Sequence, residues 1–260
     1  MKYLLLDTNI YFDFIIHRTK ENPPESFRYF EDLIVWGDTQ LIVPEIVVVE
    51  ANRRIEQMVD SIGGNLKNIS KELNKSYWFS FDTTGNQDFN SEISNINTNL
   101  NEFLNTFNKR KSAYIRVAKT KINSIFDRSF LIKTDDELLN NTMKRKMFKQ
   151  CPFHRDSESY GDALILETLL NIKKYLQIEP EDKIYFISRN HRDFSDSKDK
   201  DRLHNDILIE IERQNLQENI IYSRYFYKTL KQDFNLDYID ATQVQEDHYQ
   251  KIIDANEDRF

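Results

Sequence analysis

Short apolar segments that alternate with helical patterns constrain the fold of this chain more than any other feature. The segments are Tyr3–Leu6, Leu41–Val43, Lys183–Ser188 and Asn219–Ser223. Continuous apolar runs of this length are typical of strands that are buried on both faces of a parallel sheet. Helices between the runs would cover those faces. The sequence therefore predicts an α/β fold with a central parallel sheet.

The segments between the strands show the apolar spacing of helices. Predicted helices cover Thr8–His17, Glu25–Trp36 (which Gly37 ends), a stretch from Glu45 onward, Ser157–Leu176 and Leu203–Arg213. Pro44 stops the second strand and lies near the first turn of the next helix, where proline is tolerated. The predicted order is β-α-β-α, then an insertion, then α-β-α-β.

The chain changes character between about residues 61 and 150, where polar, Asn-rich sequence takes over. Apolar residues recur every three or four positions over Ile93–Phe107, which predicts an amphipathic helix, and Tyr114–Ile125 predicts a second one. We interpret 61–150 as a helical insertion within a single domain that covers 1–240. Residues 241–260 are expected to form an acidic tail.

The residue types that the chain lacks exclude several classes of site. The chain has only five glycines, and it contains neither a glycine-rich dinucleotide-binding motif nor a phosphate-binding P-loop. Cys151 is the single cysteine, so neither a disulfide within the chain nor a thiolate zinc site can form. We interpret Cys151 as a half-buried thiol rather than a nucleophile. The apolar runs are too short for a membrane span or a signal sequence, so a cytoplasmic protein without membrane contact is expected.

Four acidic residues occupy positions at which parallel sheets gather functional groups. Asp7 ends the first strand, and Glu50 lies one or two turns into the helix after the second. Asp162 lies near the start of a helix, and Asp193 follows the next strand by a few residues. A lone aspartate at a strand end is usually a helix cap or a turn residue. Four acids at these places together predict one site beyond the carboxyl ends of the strands.

Carboxylates that share a site are costly without a cation. Two unit charges about 4 Å apart repel by roughly 4 kcal/mol at an effective dielectric constant of 20. Ligands that are all oxygens suit Mg²⁺ or Mn²⁺, and two such ions can activate water for attack on a phosphodiester. The four acids therefore predict a metal site that hydrolyses phosphodiester bonds.

Four motifs in these segments resemble the PIN-domain family, in its PIN-like branch with a long helical insertion. Asp7-Thr8-Asn9 is similar to the opening motif, and Glu50 in PEIVVVE (44–50) is similar to the second acidic position. GDALI (161–165) resembles the helix with the third acid, and SRNHRDF (188–194) resembles the closing motif. The resemblance covers about 1–60 and 155–225.

The resemblance implies a three-layer α/β/α sandwich and a nuclease that depends on Mg²⁺ or Mn²⁺, usually acting on RNA. An endoribonuclease is therefore the favoured prediction, and a toxin or defence effector fits the family. A flap-type DNA nuclease and an inert scaffold that binds RNA or a protein are the alternatives. A haloacid-dehalogenase phosphatase is disfavoured because Asn9 stands where a second aspartate is needed. Whether the protein binds a protein partner or forms a homo-oligomer stays open.

Other polar residues are candidates for supporting roles at the predicted site. Thr8 and Asn9 are expected to orient Asp7 or a metal-bound water. Asn190 is an alternative to Asp193 at the fourth position. Glu158, one turn before Asp162, is a further candidate, although a first-turn acid favoured by the helix dipole is the simpler explanation.

Basic residues are candidates for binding substrate. The net charge is −7, yet residues 109–149 carry 12 Lys and Arg against 4 Asp and Glu, a balance of +8 that leaves −15 for the remainder. Such a patch would attract nucleic acid, although a charge run is as often plain solvated surface. Arg53, Arg54 and Arg155 lie near the acids in sequence. The candidates in the basic segment are Lys109, Arg110, Lys111, Lys144, Arg145 and Lys146.

Overall fold

The computed structural model of the chain describes residues 1–16, 25–36, 39–75, 86–155 and 158–234. Its strands form one parallel sheet in the order β3-β2-β1-β4-β5. They are β1 (Lys2–Leu6), β2 (Thr39–Pro44), β3 (Phe130–Ile132), β4 (Lys183–Ile187) and β5 (Ile220–Ser223). The predicted α/β fold with a central parallel sheet is therefore confirmed.

The helices connect and cover these strands. They are α1 (Thr8–Ile16), α2 (Glu25–Trp36), α3 (Glu45–Lys75), α4 (Asn86–Phe126), α5 (Asp136–Met147), α6 (Tyr160–Leu170), α7 (His191–Phe194), α8 (Asn205–Arg213) and α9 (Phe226–Asp233). Short 3₁₀ turns cover Phe153–Arg155 and Ile172–Lys174. None of the helices in the described ranges is long and apolar enough to cross a membrane.

The strand order of the sheet reverses at its centre. From β1 the chain adds β2 on one side, and later β4 on the other, so the strand order reverses between β1 and β4. Leu6 pairs with Ile187, which aligns the carboxyl ends of these two strands. A crevice at such a reversal is the usual place for a site in parallel sheets. Asp7 and Ser188 directly follow the two strands.

The core of the sheet is built on its central strands and on α6. Leu4, Leu5 and Leu6 of β1 are fully buried, as expected for a strand covered on both faces. Every side chain from Ala163 to Leu170 of α6 is buried as well. A helix that is buried all round lies inside the fold, and α5 packs on it. The helix that carries Asp162 is thereby a rigid support.

The chain divides into two compact units. One contains Met1–Ala51 and the chain from Ser124 onward, and the other is Asn52–Asn123. The second unit holds buried Leu104 and Phe107 and an ion pair of 2.7 Å between Lys111 and Asp60. The predicted insertion, about 61–150, ends later in the sequence than this second unit. It therefore includes strand β3, which pairs with β2 in the sheet. The domain limits of 1–240 and 241–260 stay predictions.

Several predicted boundaries differ from the structure. The two helices predicted over Ile93–Phe107 and Tyr114–Ile125 are wrong as separate elements, since α4 is continuous over both. Neither glycine nor proline interrupts α4, so nothing in the backbone forces a break there. The helix predicted to run from Ser157 to Leu176 is shorter at both ends. His17, Gly37, Ser157 and the tail 241–260 lie outside the described residues.

Candidate active site

The site begins at the carboxyl end of β1, where Asp7 is 2% exposed. Its carboxylate accepts a hydrogen bond of 2.8 Å from the Ser188 hydroxyl, at the end of β4. The backbone N–H and side-chain amide of Asn9 lie 3.4 Å from its two oxygens. These neutral donors hold the carboxylate in a fixed orientation at the centre of the sheet edge.

Glu50 reaches the same edge from α3. The Thr8 hydroxyl donates a hydrogen bond of 3.0 Å to Glu50 Oε2. On its other side Glu50 lies against the backbone of Gly161, where a Cβ would come within 2.2 Å of Oε1. A side chain at position 161 would therefore displace the carboxylate, and glycine is required here for the close approach.

Asp162 and Asp193 share one partner. The side-chain amide of Asn190 donates to Asp162 Oδ2 at 3.0 Å and to Asp193 Oδ2 at 2.9 Å. Asp162 lies in the first turn of α6 and Asp193 in the short helix α7. Asn190 is itself placed by its backbone N–H, which donates to the Ser188 hydroxyl at 3.0 Å. Ser188 and Asn190 thus link the three aspartates, and Glu50 lies against Gly161, the residue before Asp162.

The electrostatics show that these carboxylates are crowded. Burial raises the pKa of Asp7, Glu50 raises it further, and the hydrogen bonds from Ser188 and Asn9 oppose the shift. Burial, followed by the charges of Asp7 and Asp193 and by a hydrogen bond with Asp193, raises the pKa of Asp162 to about 9. Among the described residues no Lys or Arg pairs with Asp7, Asp162 or Asp193. Within the described residues, these three aspartates are therefore surrounded by neutral donors and other acids rather than by cations.

The donor set fits a hard divalent cation. Carboxylate, amide and hydroxyl oxygens are the ligands that Mg²⁺ and Mn²⁺ prefer. In the described part of the chain, no three acidic, histidine or cysteine side chains are arranged to hold a metal ion as they stand. The carboxylates instead accept hydrogen bonds from neutral groups of Thr8, Asn9, Ser159, Ser188 and Asn190. A cation bound at this edge would replace part of that network.

The supporting residues predicted from the sequence fall into two groups. Thr8, Asn9 and Asn190 all contact the acids, as described above. Glu158 does not lie on α6: it precedes the helix, which begins at Tyr160, and its side chain is exposed. The interpretation of Glu158 as a first-turn acid is therefore wrong.

Two serines that contact the acids were missed by the sequence interpretation. Ser159 donates a hydrogen bond of 2.7 Å to Asp193 Oδ2, and Ser188 donates to Asp7. A signal for Ser188 was present, since it is the first residue of the closing motif. Nothing in the sequence around Ser159 distinguishes it from an ordinary residue before a helix.

Arg145 is not available to bind substrate, contrary to the prediction. Its side chain is 3% exposed, and its Nη2 lies 2.7 Å from Glu167 Oε1 and also contacts Glu210. Its Nη1 donates a hydrogen bond of 2.8 Å to the carbonyl oxygen of Cys151. The guanidinium is held in this buried network because one face of α5 packs into the core. The buried residues of that face are Leu138, Thr142 and Arg145.

The other basic candidates are at least partly accessible. Arg155 and Lys144 are exposed in the first unit, and Lys146 is half-buried with its ammonium 4.9 Å from the centre of the Phe153 ring. In the second unit, the exposed candidates are Arg53, Lys109 and Arg110, while Arg54 and Lys111 are half-buried. Their exposure is compatible with binding nucleic acid.

Cys151 is more buried than the sequence interpretation supposed. It is 0% exposed, and burial raises the pKa of its thiol. Its thiol donates a hydrogen bond of 2.7 Å to the backbone carbonyl of Asp193. A buried thiol with a raised pKa is unreactive, so the interpretation of Cys151 as a structural residue fits this environment.

Comparison with known proteins identifies one family. A family model described as PIN domain matches residues 4–194, which covers β1 through α7 and all four acids. Neither the curated proteins nor the solved structures gave a match.

Proposed function

The chain belongs to the PIN-domain family, and on that premise we propose that it is a nuclease that hydrolyses RNA with Mg²⁺ or Mn²⁺ bound by Asp7, Glu50, Asp162 and Asp193. PIN domains are typically nucleases, which supports the general activity. The observation that supports the proposal is the set of contacts around these acids: Asn190 donates to Asp162 and Asp193, and Ser188 accepts from the N–H of Asn190 and donates to Asp7. The cytoplasmic location predicted from the sequence is part of the proposal.

The chain's own residues prepare the site for a cation. Ser188 and Asn9 fix Asp7, and Thr8 fixes Glu50 against Gly161. Asn190 holds Asp162 and Asp193 side by side. When bound, a divalent cation supplies a water of lowered pKa and stabilises charge on the phosphate. Burial of Asp7 and Asp193 keeps bulk water away from that region, which strengthens electrostatic interactions within it.

Substrate binding is assigned to cations that lie outside the acid cluster. Exposed Arg155 and Lys144, with half-buried Lys146, would contact phosphates from the first unit. The second unit, taken by itself, offers Arg53, Lys109, Arg110 and Lys111 as separate candidates. Such contacts supply binding alike in the ground state and the transition state, so they affect affinity more than turnover.

The test is a cleavage assay on panels of single-stranded RNA, single-stranded DNA and DNA flaps, with Mn²⁺, with Mg²⁺ and with a chelator. We expect metal-dependent cleavage of single-stranded RNA. Preferential cleavage of DNA flaps would instead make the protein a structure-specific DNA nuclease. Tight binding of RNA without cleavage under any metal condition would make it an inert scaffold.

Asp162→Asn is the matched variant for this assay. We expect it to reduce cleavage by more than a hundredfold, because it removes a carboxylate from the cation site. Its thermal stability should not fall, since a neutral amide replaces a carboxyl group whose raised pKa keeps it protonated near neutral pH. Activity within tenfold of the unmodified protein would contradict a ligand role, and a large loss of stability would indicate a structural role.

A further inference from the structure

Arg189 lies inside the closing motif, between two residues that contact the acid cluster. Ser188 on one side donates to Asp7, and Asn190 on the other donates to Asp162 and Asp193. We propose that Arg189 binds a backbone phosphate of the nucleic acid next to the one that is cut. The inference rests on the proposed nuclease function and adds a substrate contact to it.

Arg189 is held in place by a buried acid. Its Nη2 lies 2.8 Å from Oδ1 of Asp13, whose side chain is 0% exposed, while the Arg189 side chain is 29% exposed. A charge-assisted hydrogen bond of this length fixes the orientation of the planar guanidinium. The arginine is therefore preorganised, so it would lose little conformational freedom when a ligand binds.

The contact with Asp13 leaves hydrogen-bond donors unused. A guanidinium has five N–H donors, and Asp13 is reached by Nη2. Nε of Arg189 is buried and has no hydrogen-bond partner within the described ranges. Because Nε is buried, a ligand would meet the exposed part of the side chain, where a fixed cation favours an anion whose several oxygens can accept more than one hydrogen bond. A phosphate has that chemistry.

The position of the pair relative to the acids indicates which phosphate it reaches. Asp13 lies four residues after Asn9 on α1, so both point to the same face of that helix, about 6 Å apart along its axis. Asn9 contacts Asp7. The pair thus lies one helical turn beyond the acid cluster, and Asp13 holds the guanidinium there. This offset favours a phosphate that flanks the scissile one.

The ion pair between Asp13 and Arg189 also has a purely structural explanation, since a buried aspartate needs a partner. Arg189→Gln alone would remove the ion pair from that buried charge and destabilise the fold. The informative comparison is therefore between Asp13→Asn and the double variant Asp13→Asn with Arg189→Gln, which removes both charges. Arg192→Gln is the matched control, because Arg192 is an exposed arginine in the same segment.

The experiment measures steady-state cleavage of a labelled single-stranded RNA that the unmodified full-length protein cuts, and its equilibrium binding in an Asp162→Asn background. We expect the double variant to bind RNA about tenfold more weakly than Asp13→Asn and to raise KM to match. Its kcat should stay within about threefold, and the salt dependence of its binding should flatten by about 0.7 in slope. Arg189→Lys should recover part of the affinity, and Arg192→Gln should change it less than twofold.

Equal RNA affinity in the double variant and Asp13→Asn would overturn the inference and leave Arg189 as a structural partner of Asp13. A fall in kcat without a change in affinity would overturn it as well, since a flanking phosphate does not carry the reacting charge. An equal loss in Arg192→Gln would show a general charge effect instead. If the unmodified protein cuts no nucleic acid in the first place, the proposed function fails rather than the assignment of Arg189.

Discussion

Helix α6 carries two acids that differ in how their charge is balanced. Glu167 is 4% exposed and receives the guanidinium of Arg145 at 2.7 Å, as well as the side-chain amide of Asn171 at 3.2 Å. Asp162, five residues earlier, accepts a hydrogen bond from Asn190 and faces the charges of Asp7, Asp193 and Glu50. The chain supplies a cation at one position and gathers further acids at the other.

This difference separates a structural acid from a candidate functional one. A buried ion pair whose remaining hydrogen bonds are satisfied adds little net stability, but breaking it is costly. Buried aspartates gathered without a cation from the described residues cost free energy in the folded state and persist only if another interaction offsets that cost. This contrast assigns Arg145 to the stability of the fold and the Asp162 cluster to the proposed cation site.

The largest expected effect comes from removing the cation of the structural group. Arg145→Met leaves Glu167 and Glu210 buried or partly buried without their shared partner. We expect the free energy of unfolding to fall by ~3 kcal/mol or more, measured by chemical denaturation. Lys144→Gln, one residue away and exposed, should change it by less than about 0.5 kcal/mol. Equal stabilities of these two variants would remove the contrast between the acids of α6.

The next effect is a dependence of stability on pH in the chelator-treated protein. The pKa of Asp162 is about 9 when folded and near 3.8 when unfolded, so the folded state binds the extra proton between these values. Stability should therefore fall as pH rises from about 5 to 8, by up to about 1.4 kcal/mol per pH unit for one proton. Asp162→Asn should show a flatter profile. Parallel profiles for the two proteins would mean that Asp162 ionises normally.

The smallest expected effect concerns the basic side chains outside both groups. Replacing Lys109, Arg110 and Lys111 with Gln should weaken RNA binding and flatten its salt dependence by at most about 0.7 per lost contact. Turnover at saturating RNA should change little, because these residues lie outside the acid cluster. The matched control replaces three exposed lysines of α3: Lys67, Lys71 and Lys75. If both triple variants lose affinity equally, the basic segment is not a specific platform.

The elements that local pattern determines were predicted well. The apolar runs of β1 and β4 indicate strands by themselves, and the acids that follow them are placed by the topology of any parallel sheet. Strand β3 was missed because three residues, with Leu131 half exposed, give no alternation to recognise. The two helices predicted where α4 is continuous are separated by residues 108–113, a stretch without a large apolar side chain that does not by itself end a helix.

Contacts between distant segments account for what the sequence did not reveal. Arg145 looked like part of an exposed basic run, yet its partners Glu167 and Glu210 lie 22 and 65 residues away. Arg145 lies seven residues after Leu138 and three after Thr142, a spacing that places all three on one face of the helix. The pairing of Arg189 with Asp13 spans 176 residues and depends on the order of the strands.

The central claim is that the acids around Asp162 form a site for a divalent cation, and the most direct measurement is the free energy of unfolding as a function of Mn²⁺ concentration. A ligand that binds only the folded state at 100 times its Kd stabilises by about 2.7 kcal/mol. We predict a gain of this kind in the unmodified protein, most of it lost in Asp162→Asn and retained in Glu158→Gln, whose side chain is exposed nearby. An Mn²⁺ series that leaves the unmodified protein unchanged, or that stabilises Asp162→Asn equally, would contradict the account.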